Sequence, residues 1–93
     1  MTILQDCAHE DISFKPGDDI SFDITFPFII TDYVIEAVLG TTNFTVTIID
    51  PYIRRFSLTE VQTAAIENGA RFMIRLTYND YTRTYNDGKY LLI

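Results

Sequence analysis

Residues 56–93 read FSLTEVQTAAIENGARFMIRLTYNDYTRTYNDGKYLLI, a stretch that sets one helical signal among strand signals. Ser57-Leu58-Thr59-Glu60 fits a capping box, in which a hydroxyl and a carboxylate each bond the other residue's backbone N–H. Thr59-Glu60-Val61-Gln62 is a second frame, two residues later. Leu58, Val61, Ala65 and Ile66 fall at helical spacing and make a narrow apolar stripe. Asn68-Gly69 supplies the stop, because glycine accepts the left-handed backbone that closes many helices. The pattern predicts one helix from about Leu58 to Glu67, too short to hold alone in water and therefore docked on a sheet.

Strand periodicity surrounds it. Downstream, Phe72, Ile74, Leu76 and Tyr78 alternate with Arg71, Met73, Arg75 and Thr77. Asn79-Asp80 reads as a turn, residues 81–85 as a strand, Asn86-Asp87-Gly88 as a tight turn, and residues 89–93 as a closing strand. Upstream, Ile20, Phe22, Ile24, Phe26 and Phe28 alternate with Ser21, Asp23, Thr25 and Pro27. Tyr33, Ile35, Ala37 and Leu39 form the inward side of the next strand, and Gly40-Thr41-Thr42-Asn43 a hairpin loop. Phe44, Val46 and Ile48 lie opposite Thr45, Thr47 and Ile49. Residues 52–56 are a short strand in which Arg54 and Arg55 break the alternation. Residues 11–15 are a further short candidate, followed by a turn at Pro16-Gly17-Asp18-Asp19. Residues 1–10 have no period and read as an arm or an irregular first strand. Seven or eight strands at this spacing suit an all-β sandwich or barrel in a single domain, residues 1–93.

Composition supports a packed core: 47% of the 93 residues are hydrophobic, including seven Phe and six Tyr. The single Cys7 has no internal disulfide partner. The start shows no basic-then-apolar leader, and no run is long enough to span a membrane, so the chain reads as an intact product made in the cytoplasm. A net charge of −6 argues against nucleic acid as the main partner. Residues 1–50 hold nine acids and one base, and residues 51–93 four acids and six bases, so the halves carry −8 and +2. Mixing of these charges on the folded surface is the expectation, with head-to-tail contacts between copies as the alternative.

The chemistry-bearing residues are few. Triads of the Ser-His-Asp or Cys-His kind would need His9, the one histidine. Asp18 and Asp19 are adjacent, so they diverge instead of facing each other. No Cys/His spacing reads as a zinc site. Asn79, Asp80, Asn86 and Asp87 are turn residues first and calcium oxygens second. The four glycines are scattered, with no phosphate-cradling loop. Tyr78, Tyr81 and Tyr85, with Arg75 and Arg83, offer an aromatic-basic face that a sugar could stack on, unless the tyrosines cover the core.

Several pieces occur in a telling order: Phe14-Lys15-Pro16-Gly17-Asp18-Asp19 before an alternating strand, then Leu58-Thr59-Glu60-Val61-Gln62-Thr63-Ala64-Ala65, Gly69, another alternating strand, Tyr81-Thr82-Arg83-Thr84 and Asp87-Gly88. Over most of residues 11–93 this order resembles small phage virion proteins built on immunoglobulin-like β-sandwich modules, among them the N-terminal module of baseplate upper proteins. Relatives of that kind often carry the module at the head of a longer tail or baseplate protein. The resemblance implies an immunoglobulin-like sandwich and a non-enzymatic structural role, as tail or baseplate component, adaptor or capsid decoration. It implies other virion structural proteins or further copies of the chain as partners. No membrane, cofactor, metal or catalytic residue comes with it, and the location is the virion after synthesis in the host cytoplasm. Two other readings stand beside it: a carbohydrate-binding module for host surface glycans using Tyr78, Tyr81 and Tyr85, and a small enzyme dependent on His9.

Overall fold

A computed structural model describes residues 8–92 of the chain. In chain order the elements are β1 (Ile20–Thr25), β2 (Val34–Leu39), β3 (Thr42–Asn43), β4 (Thr45–Asp50), β5 (Ile53–Leu58), α1 (Glu60–Ala64), β6 (Arg71–Tyr78) and β7 (Tyr81–Lys89). They form two antiparallel sheets, β1-β5-β4 and β3-β2-β6-β7. The fold is therefore the expected all-β sandwich with one short helix, and its strand order is immunoglobulin-like. Phenylalanines hold the sheets together. Phe22 stacks on Phe56 within one sheet at 5.6 Å and meets Phe72 of the other edge-on at 6.5 Å. Phe44 contacts Phe22, Phe56 and Phe72 where the chain passes from β3 to β4, and so from one sheet to the other. Its N–H still bonds the Ala37 carbonyl of β2 (2.9 Å).

β5 corrects one expectation. It is a full six-residue strand, and the alternation runs through the arginines: Arg54, Phe56 and Leu58 are buried while Arg55 is exposed. The Arg54 guanidinium donates to the carbonyls of Asp50 (2.6 Å), Ile53 (3.0 Å) and Ile30 (3.3 Å), tying the turn before β5 to the loop after β1. A buried cation is tolerated here because those carbonyls replace its water. Ile48, read as inward, lies opposite Arg54 yet is 72% exposed, at the outer margin of its sheet.

The helix is shorter than expected. Leu58 ends β5, and α1 runs only from Glu60 to Ala64. The later capping frame is the one used: Thr59 Oγ1 accepts from Gln62 N–H, and Gln62 Oε1 accepts from Thr59 N–H. Barely more than one turn cannot present a stripe, so Val61 is 76% exposed and Thr63 is the buried residue. Its hydroxyl donates to the Asp18 carbonyl (2.8 Å) and accepts from Gly17 N–H (3.0 Å). The helix thus docks on the Pro16–Asp19 turn through one hydroxyl. Gly69 has the expected positive φ of 85°, but in a turn beyond the helix, where its N–H bonds the Tyr90 carbonyl (2.8 Å).

The end of the chain departs most. Asn86-Asp87-Gly88 is not a turn: β7 runs unbroken through it. What makes the sequence look like a turn instead serves a contact with the chain's start. Ala8 and Ile12 bridge Asn86 and Tyr90 in parallel. Between the bridges, the buried Asn86 amide bonds both the N–H (2.9 Å) and the carbonyl (3.0 Å) of Glu10. Within the expected arm, residues 8–10 form an irregular first strand on β7, and residues 1–7 lie outside the described part. The strand expected at 11–15 reduces to the Ile12 bridge, after which Phe14 stacks on Tyr90 at 4.4 Å.

Candidate functional site

The tyrosines sit at the β6–β7 hairpin. Tyr78 and Tyr81 are direct cross-strand partners flanking the Asn79-Asp80 turn, 42% and 84% exposed. Asn79 takes φ 53°, which a tight hairpin turn requires and asparagine tolerates. Tyr78 packs on Tyr33 (5.2 Å), Tyr33 on Phe28 (5.6 Å), and Phe28 on Phe26 (6.2 Å). Arg83 lies over the Phe28 ring, 5.7 Å from its centroid. The site is an aromatic strip that leaves the core and ends in two exposed phenols. It offers stacking and hydrogen bonding.

Tyr85 and Arg75 do not join the exposed end of this strip. The register of β7 shifts between Arg75↔Thr84 and Ile74↔Asn86, leaving Tyr85 as the extra residue of a bulge. Its ring turns onto Phe26 at 4.8 Å. Tyr85 keeps the side that parity assigns it, that of Tyr81 and Arg83, but is half-buried there against Phe26; the residue the bulge turns inward is Asn86, opposite Ile74. Arg75 pairs in register with Glu36 on the outward side of the sheet. Phe28 and Tyr33 are members that sequence reasoning placed only in the core. The continued alternation of Phe26 and Phe28 past the end of β1 was the available signal.

The remaining candidates are engaged structurally. His9 Nδ1 lies 3.0 Å from the Asp87 carbonyl oxygen, fastening residues 8–12 to β7. Asp87 pairs with Arg71 through two bonds of 2.9 Å, so its carboxyl is held below the ordinary 3.8 by the guanidinium, with smaller help from His9. Asp23 is likewise lowered by Arg55, at 2.8 and 3.2 Å. Asp19 accepts from Glu60 N–H at the start of α1, and Asp50 accepts from the N–H groups of Tyr52 and Ile53. Asp80 and Asp87 lie at opposite ends of β7 and gather no ion site. Among the described residues no group of three His, Cys, Asp or Glu side chains converges.

The sheet edges are the other candidate contact elements. Among the described residues β1 and β4 each pair on one side only, with β5. A crevice of about 490 Å³ lies beside β1, lined by Phe22, Ile24, Phe72, Ile74, Ile12 and Tyr85 among others. The connectivity and these surfaces describe a two-sheet antiparallel all-β fold with an aromatic tip and, among the described residues, two free edges. Comparison with known proteins finds no matching family model and no matching curated protein.

Proposed function

We propose that this chain is a non-catalytic structural protein of a phage virion, a tail or baseplate component, adaptor or capsid decoration that acts by protein–protein contact. The observation that carries this reading is the pair of uncovered edges, β1 and β4, with Ile48 and Ile49 left exposed on β4. Unpaired backbone beside apolar side chains is suited to receiving another protein's strand or loop. The order of sequence motifs quoted above supplies the virion setting. Mass spectrometry of purified particles from the phage encoding the chain is expected to find it at a copy number matching a structural component. Its absence from such particles overturns the reading.

The exposed pair Tyr78 and Tyr81, backed by Tyr33 and Arg83, favours a second reading, a glycan-stacking tip without Tyr85. On this reading a glycan array returns a signal that Tyr81→Ala abolishes and Tyr85→Phe preserves. An array without signal, or one unchanged by Tyr81→Ala, removes it.

A further inference from the structure

We propose that β4 is a self-association edge: two copies of the chain pair their β4 strands antiparallel about a two-fold axis and close a dimer. Natural sheets guard exposed edges by cover, shortness or charge. Each device is present among the described residues. Residues 8–12 cover β7, β3 is two residues long, and β1 carries Asp23 in an ion pair with Arg55. Along Thr45, Val46, Thr47 and Ile48, β4 has none of the three. All four residues are β-branched and uncharged, and Ile48 is 72% exposed although it shares the core-facing parity of Val46. The bulge between Ile48 and Asp50 ends the regular ladder there, which confines the free edge to these four residues.

A second copy fits this edge because the edge is self-complementary. The chain's charge of −6 opposes self-association in general. The one acid of β4, however, is Asp50 at its end. Antiparallel pairing centred on Thr47 sets the two Asp50 residues about 20 Å apart at roughly 3.3 Å per residue. That distance exceeds the Debye length of about 8 Å at physiological salt. In this register Thr47 of each copy lies opposite Thr47 of the other, and Val46 opposite Ile48, so outward residues meet outward ones and core-facing residues meet core-facing ones. An isologous contact consumes the edge it uses. The dimer therefore joins two three-stranded sheets into one of six and stops there. It gives the structural-protein reading one named contact and is tested apart from it, since particle composition and oligomeric state are separate measurements.

Sedimentation equilibrium of the full chain from micromolar to millimolar concentration is expected to show a monomer–dimer equilibrium with no larger species. Thr47→Lys, on the exposed face of β4, should weaken dimerisation on the order of tenfold or more. Thr25→Lys on β1 should leave it unchanged. Amide exchange at residues 45–48 should slow as concentration rises, and this series on the unsubstituted chain decides alone if Thr47→Lys lowers the melting temperature. A mass that stays monomeric, a dimer indifferent to Thr47→Lys, an open ladder of larger species, or exchange at 45–48 that does not change with concentration overturns the proposal.

Discussion

A Cβ added at Gly88 would collide with the carbonyl group of Glu10 and crowd the Asp11 carboxylate. The glycine is needed for this close approach and not for a turn. Read locally, Asn86-Asp87-Gly88 carries every mark of a turn, because the partners that give Asn86 and Gly88 their roles lie near the other end of the chain. Asn86 supplies bonds that a regular strand's backbone would supply, Asp87 takes Arg71, and Gly88 leaves room. Gly88→Ala should therefore detach residues 8–12 without dismantling the sheets. We expect a loss of about 1–3 kcal/mol in urea unfolding. In hydrogen exchange, the amides of Ala8, Ile12 and Asp87, which all bond across this junction, should lose protection while those of β2 and β6 keep theirs. Unchanged protection at the junction would refute this account.

At the scale of elements, β1, β2 and β6 were legible because one face of each is buried and the other solvated, so period two is written into them. β5 was not, because a buried arginine stands at a core position and looks like an interruption. The helix was legible in its cap and not in its packing. A stripe argument assumes enough turns to form a face, and five residues provide none. Of the candidate site, Tyr78 and Tyr81 could be read from hairpin and period, whereas the contact with Phe26 that covers Tyr85 has no signature in the sequence around it. The helix yields a paired test. Thr63→Val keeps shape but removes the hydroxyl that serves Asp18 and Gly17, and should cost about 1–3 kcal/mol. Val61→Lys, at the position the stripe marks as core, should stay within about 0.5 kcal/mol of the parent. Thermal melts of the two variants distinguish hydroxyl docking from stripe docking, and the reverse order would restore the stripe.

Across the whole molecule, the topology brings some of the opposite charges of the two halves of the sequence together. β1 pairs with β5 and β2 with β6, so the one acid of each of these first-half strands lies against an arginine-bearing strand from the second. Asp23 meets Arg55, and Glu36 lies in register with Arg75. Composition alone reveals the imbalance, and only the strand order reveals which of its charges meet. A dependence on pH follows. Asp23 and Asp87 have folded-state pKa values below the ordinary 3.8, held down chiefly by hydrogen bonds from Arg55 and Arg71. The unfolded chain therefore takes up these protons at higher pH than the folded one. The stabilisation is complete above the ordinary carboxylate range and is lost as pH falls through 3.8 toward the lower folded values. Both pairs are solvent-exposed, so the effect is modest and screened by salt. Melting temperatures measured from about pH 6 down to about pH 2 should fall less steeply for the double variant Asp23→Asn, Asp87→Asn than for the parent. The gap between the two curves should narrow in about 1 M salt, where the Debye length drops to about 3 Å. Parallel curves at low salt would mean that the two guanidinium pairs contribute nothing to the acid limb.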